Sequence, residues 1–150
     1  MTMVKELISS RNENYTFFVQ CCCGQEIIQF YFYEKTNIDD EILGLRYFGH
    51  IQNHKNSNCA NFRFNRDMFK TIIDSLKESV NVKIYNKTFI FGGELLAIKK
   101  DALGFYSLIK FKNKRSKRKE INIWDICIHK DSILDLIAEL EEMFNYVIER

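Results

Sequence analysis

The segment FRFNRDMFKTIIDSLKE, Phe62 to Glu78, has an ungapped counterpart 64 residues later in ICIHKDSILDLIAELEE, Ile126 to Glu142. In each, an alternating triplet of the kind that forms a strand leads to an acidic residue and then to apolar residues at helical spacing. Phe62 aligns with Ile126, Phe64 with Ile128, Phe69 with Ile133, Ile72 with Leu136, Ile73 with Ile137 and Leu76 with Leu140. Asp67 and Asp131 coincide. Each is the expected helix N-cap, because a carboxylate there accepts from the unpaired amides of the first turn. The repetition predicts two units of one kind, a stronger constraint on the fold than composition supplies.

The stretches preceding the two segments also correspond. NYTFFVQCCCGQEIIQFYFYE is dense in aromatic and β-branched residues and breaks at Gly24, which predicts strands over about 15–22 and 26–34 joined by a hairpin turn. EILGLRYFGH supplies a third strand, and FRF a fourth after the polar stretch IQNHKNSNCAN. In the second half VKIYNKTFIFG, ELLAIKK, FYSLIKFKN and INIWDICI are the strands. The last helix carries Ile133, Leu136, Ile137, Leu140, Phe144 and Ile148 as its apolar stripe. No helix falls in the rhythm of repeated βαβ crossovers, so a doubly wound parallel sheet is not expected. The expected fold class is α+β: two β-β-β-β-α repeats, over about 15–79 and 81–148, whose antiparallel sheets form one intertwined domain spanning residues 1–150. A unit of about sixty residues buries a marginal core alone, and two copies can share one.

Charge bounds the partners. Twenty-two basic and twenty acidic residues leave a net charge of +2, so any electrostatic footprint must be local. The polar opening MTMVKELISSRNEN lacks the apolar run of a secretory signal, and no 18 consecutive apolar residues occur to cross a membrane. Five cysteines, three of them adjacent, suit a reducing compartment better than a disulfide framework. A cytoplasmic protein is expected, or a nuclear one in a eukaryote.

The local footprint is the run KNKRSKRKE. Lys112, Lys114, Arg115, Lys117, Arg118 and Lys119 fall between the third and fourth strands of the second unit, and Lys99, Lys100 and Lys110 extend it. Such a cluster binds a phosphate backbone by releasing counterions; its alternative reading is a solvated loop or a patch recognised by another protein. Single-strand binding also needs flat side chains for bases to stack upon. Alternation in IIQFYFYE sets Tyr31 and Tyr33 opposite Ile28, Phe30 and Phe32, making the tyrosine side the expected exposed face. In FYSLIKFKN it puts Tyr106, Leu108, Lys110 and Lys112 together, and in the first unit Arg46 shares a face with Phe48 and His50. Cross-strand packing is the simpler role for any single one of these residues.

The order of elements over 15–148, with the strand–cap–helix ends FRFNRDMFKTIIDSLKE and ICIHKDSILDLIAELEE, resembles the PUR-repeat proteins and, more broadly, the whirly-like single-stranded nucleic-acid binders. NKTFIFGG is similar to the aromatic first strand of a PUR unit, whereas CCCGQE and FGGEL stand where that family has a basic-asparagine-glycine turn. The resemblance implies two units that exchange elements within one module, sheet faces that bind single-stranded DNA or RNA with low base specificity, and frequent dimers. The final helix, longer than its own sheet needs, also leaves room for a homodimer. A protein–protein module, such as an adaptor or toxin-neutralising protein, is the alternative, favoured by the near-neutral charge.

Catalytic and metal signatures are missing. The chain has no GxSxG, GxxxxGK, HExxH or GxGxxG, so neither an enzyme, a cofactor nor a small-molecule substrate is expected. Cys21, Cys22 and Cys23 with His50, His54 and Cys59 are of zinc-binding type but match no finger spacing, so no metal site is expected. His129, next to the second helix, is read as structural.

Overall fold

The computed structural model describes residues 8–9, 15–22, 26–33, 42–48, 61–91, 94–114 and 119–148. The first unit consists of β1 (Ile8–Ser9), β2 (Tyr15–Gln20), β3 (Ile27–Tyr33), β4 (Ile42–Phe48), β5 (Asn61–Phe64) and α1 (Arg66–Val80). The second consists of β6 (Tyr85–Phe91), β7 (Glu94–Lys100), β8 (Phe105–Lys114), β9 (Lys119–His129) and α2 (Lys130–Ile148). Both sheets are antiparallel meanders in chain order, β1-β2-β3-β4-β5 and β6-β7-β8-β9. The architecture is therefore α+β, two four-stranded sheets each followed by a helix, with two-residue β1 added at one edge. That edge strand falls in the polar opening, which carries no alternation long enough to predict it.

The correspondence between units extends to burial. Phe62, Phe64, Phe69, Ile72, Ile73 and Leu76, and their counterparts Ile126, Ile128, Ile133, Leu136, Ile137 and Leu140, are all buried. They belong to one continuous core that also takes Phe17, Val19, Ile28, Phe30 and Phe32 from the first sheet and Leu96, Ile98, Tyr106, Leu108 and Trp124 from the second. The helices interlock the units. Phe69 of α1 stacks on Phe144 of α2 at 6.3 Å, and Tyr146 of α2 meets Phe32 of β3 edge-on at 6.1 Å. At the surface, Lys77 Nζ of α1 lies 3.1 Å from Glu141 Oε2 of α2, a solvent-screened pair that adds at most about 1 kcal/mol. Aromatic burial dominates, since each large apolar side chain removed from water contributes about 1.5–3 kcal/mol.

Local signals place the helix ends, with two corrections. Asn65, not Asp67, caps α1: its Oδ1 accepts the Met68 N–H at 2.8 Å, and Asp67 lies inside the first turn. At α2, Asp131 is likewise helical, and its N–H is accepted by His129 Nδ1 at 3.2 Å. Both aspartates thus act on the positive end of the helix dipole from within the first turn, and the capping acceptor stands two residues earlier. The C-terminus of α1 is closed by Lys100, whose Nζ donates to the Ser79 and Val82 carbonyls at 3.0 and 2.8 Å. Between β7 and β8, Asp101 Oδ1 accepts the Leu103 and Phe105 amides, and Gly104 turns the chain with φ of 89°. A Cβ at Gly104 would lie 2.5 Å from Lys130 Cδ, and the Gly104 carbonyl accepts the Lys130 N–H at 2.9 Å, so this turn docks on the start of α2.

Candidate nucleic-acid interface

The β8–β9 hairpin is longer than the sheet that holds it. β7 pairs with β8 only from Lys100↔Tyr106 to Leu95↔Phe111, whereas β8 and β9 continue through Lys112↔Ile121, Asn113↔Glu120 and Lys114↔Lys119. A bulge marks the departure: Lys110 pairs with Trp124 and Phe111 with Asn122, leaving Ile123 as the extra residue. Bulges bend a strand and increase its twist, which re-aims the residues beyond them. Much of the basic run expected as a loop is therefore strand. Lys112 and Lys114 occupy β8 and Lys119 opens β9, while Arg115, Lys117 and Arg118 lie outside the described residues.

The expected stacking faces are corrected. Tyr106 is fully buried, with its hydroxyl 2.8 Å from Ser79 Oγ, and Lys110 is 1% exposed with its ammonium 5.6 Å from the Phe62 ring centroid. Alternation rightly puts Tyr106, Leu108 and Lys110 on one side of β8, but that side faces the core. The opposite side is apolar too: Leu95, Ala97, Ile109 and Phe111 form a second buried cluster. With both sides of the strand buried in its middle, period-two patterning cannot tell inside from outside.

Tyr31 is also corrected. It does point away from the core that holds Ile28, Phe30 and Phe32, yet it is only 4% exposed. Its ring lies over Gly44, its cross-strand partner: a Cβ there would meet Tyr31 Oη and the Phe62 carbonyl oxygen at 2.6 Å. The Arg46 guanidinium covers it at 4.3 Å from the centroid. An aromatic ring shielding a strand glycine, with a cation above, is a filled arrangement and not an open platform. Tyr33 is part of β3, and its side chain lies outside what is described.

Arg46 is half-buried and Lys99 exposed. Exposed Arg63, paired with Gly44, joins Arg46 on the outer side of the first sheet beside Gln29, whose Nε2 donates to Thr16 Oγ1 at 2.7 Å. Arg63 was legible in the alternation of FRF. Phe105 was not: it is 36% exposed and contacts the His129 ring edge-on at 5.0 Å. It lies nine residues along β8 from Lys114, about 30 Å at strand rise, so this aromatic pair and the basic end are far apart.

Among the described residues two carboxyl groups are shifted upward. Asp125 on β9 holds its proton to higher pH because its carboxyl loses water, and because Glu26 adds negative charge that Lys99 only partly offsets. Glu139 on α2 is raised by burial and by Glu142 and Asp135, and its Oε2 is buried without a hydrogen-bond partner. A raised carboxyl favours folding at low pH: between its unfolded and folded titration ranges the native state holds more protons, so stability falls as pH rises through that window. Asp125→Asn is therefore expected to flatten the decline that sets in above about pH 4. Urea midpoints across that range test it, and equal slopes in variant and wild type would contradict it.

Among the described residues no three His, Cys, Asp or Glu side chains converge as a metal site; Cys23, His50, His54 and Cys59 lie outside them. No described helix is long and apolar enough to cross a membrane. Compared with known proteins, the chain matches no family model and no curated protein.

Proposed function

We propose that this protein binds single-stranded DNA or RNA with little base specificity, using the end of the β8–β9 hairpin as its main phosphate contact. The observation that carries this reading is the continuation of the hairpin past β7, which sets Lys112, Lys114 and Lys119 on a two-stranded projection around the basic run 115–118. Arg46 and Arg63, on the outer side of the first sheet, offer guanidinium groups for phosphates or bases. The order of elements supports placing the protein with the PUR-repeat and whirly-like binders, with a homodimer as its assembly and the cytoplasm or nucleus as its compartment.

Titrating a fluorescently labelled single strand by anisotropy at increasing salt tests the reading. Six phosphates neutralised by the six basic residues of 112–119 would give a log–log slope of about −4, hence a loss of two to three orders of magnitude in affinity between about 50 and 200 mM salt. No binding at the lowest salt would remove it.

A second reading, a protein–protein module, draws on edge strand β6, where Ile90 is 72% exposed, with Ile84, just before the strand, 66% exposed. An unpaired strand edge is a template for strand addition. Purified protein with a high 260/280 absorbance ratio supports the nucleic-acid reading, and one stoichiometric protein retained after nuclease treatment supports the module.

A further inference from the structure

The two units touch through a pair of cysteines. Cys22 follows β2, and its N–H donates to the carbonyl of Cys127 on β9 at 3.0 Å, a direct main-chain link between the first sheet's hairpin and the second sheet. A main-chain bond of this length makes the two residues direct neighbours, as a disulfide requires with its α-carbons about 4.4–6.8 Å apart. The side chains are close enough to act on one another, Cys22 being among the neighbours that raise the Cys127 thiol. Both residues are half-buried, so a small reagent can reach them, whereas neighbouring Cys21 is 4% exposed and packs into the core. Both are reduced thiols.

We propose that Cys22 and Cys127 are a redox pair whose disulfide staples the first unit to the second. The co-reactant is a low-molecular-weight disulfide of the glutathione type. The Cys22 thiol loses its proton to solvent and its sulfur attacks one sulfur of that disulfide, releasing one small thiol and leaving a mixed disulfide on Cys22. Cys127 then loses its proton, and its sulfur attacks the Cys22 sulfur and expels the second small thiol. Two protein thiols are oxidised to one disulfide, and one small disulfide is reduced to two thiols.

The thiols differ in readiness. Burial pushes the Cys127 thiol up to about 12, reinforced by its hydrogen bond to Cys22 and by the nearby charges of Cys22, Cys21 and Asp125. Cys127 therefore keeps its proton at neutral pH and acts as the resolving thiol, activated only when the adjacent mixed disulfide supplies an electrophile in contact. The consequence is structural. A bond between residues so distant in sequence closes a very long loop in the unfolded chain and adds a covalent tie between two sheets joined by non-covalent contacts.

The test is incubation of the full chain with oxidised glutathione, followed by alkylation, intact mass and peptide mapping. Expected are a loss of about 2 Da and a linked peptide pair joining the segments that contain Cys22 and Cys127. Melting should rise by about 5–10 °C in the oxidised form, reversed by a thiol reductant. Cys22→Ser and Cys127→Ser should each abolish both changes, and Cys21→Ala should keep them. A variant lacking Cys23 and Cys59 but keeping the pair should oxidise as the wild type does. Stable glutathione adducts without the internal bond, a bond to Cys21, Cys23 or Cys59 in place of Cys127, or no oxidation would overturn the proposal.

Discussion

Phe69→Ala lowers the stability of the whole protein by about 3–5 kcal/mol, a large share of the roughly 5–15 kcal/mol that holds a domain folded. Phe69 is fully buried where four elements meet. Its ring contacts Phe30 of β3 and Phe64 of β5 edge-on at 6.5 and 6.0 Å, and stacks on Phe144 of α2 at 6.3 Å. Removing it opens a cavity bounded by both units, and the rigid strands on one side limit how far the cavity can collapse. The position of the effect matters as much as its size. The chain's single tryptophan, Trp124, is buried on β9 in the second unit and reports that unit by fluorescence. In Phe69→Ala, the tryptophan transition should move to lower denaturant together with the circular-dichroism transition. A tryptophan midpoint left at the wild-type value would mean that the units fold separately, and the shared core would have to be abandoned.

That shared core was legible because both helices present their apolar residues at helical spacing, and because the strands before them alternate over short, well-bounded stretches. Helix α1 begins at Arg66 and α2 at Lys130, the same 64-residue offset that the sequence alignment gives. The caps stand two residues earlier than the aspartates suggest. Asp67 and Asp131 are acceptable N-caps in isolation, but Asn65 and His129 each place an acceptor at the actual strand–helix junction. Histidine is not an expected cap, and only the backbone register of β9 reveals it. How far the basic run would be strand was equally hidden, since lysines carry little β preference and Lys112 and Lys114 here follow the pairing begun by Ile109 and Phe111.

The site was less legible than the fold, for a physical reason. Tyr106 and Lys110 are both amphipathic, and a tyrosine or lysine with a polar tip reads as exposed unless a buried partner is known. Ser79, at the far end of α1, supplies the hydroxyl that lets Tyr106 be buried, and it lies 27 residues away in sequence. Tyr31 is likewise covered by the pairing of Gly44 and the approach of Arg46, neither of which alternation predicts. Exposed charge remains at Lys99 and Arg63, with Arg46 half-buried.

If the hairpin is the phosphate contact, changing Lys114, Arg115, Lys117 and Arg118 together to alanine weakens single-strand binding by about 10²–10³-fold at about 50 mM salt. The salt slope falls at the same time by about 3, since each lost phosphate contact removes about 0.7 of a released counterion. Two readouts are needed because a folding defect would lower affinity without a matched change in slope. Lys114 pairs with Lys119 beyond the last β7–β8 pair, Leu95↔Phe111, and melting of the quadruple variant should change little. Lys70→Ala is the charge control: Lys70 is exposed on α1 beside Asp74, 3.7 Å away, and its loss should leave the slope unchanged. A two-stranded ribbon also fits the major groove of B-DNA, so duplex of the same sequence must be titrated in parallel. Single strands should bind more tightly, because Arg46 and Arg63 can engage unpaired bases that a duplex keeps stacked. Equal affinity of the quadruple variant and the wild type for single strands would exclude the hairpin as the binding element, and an undiminished salt slope would exclude it even if affinity fell.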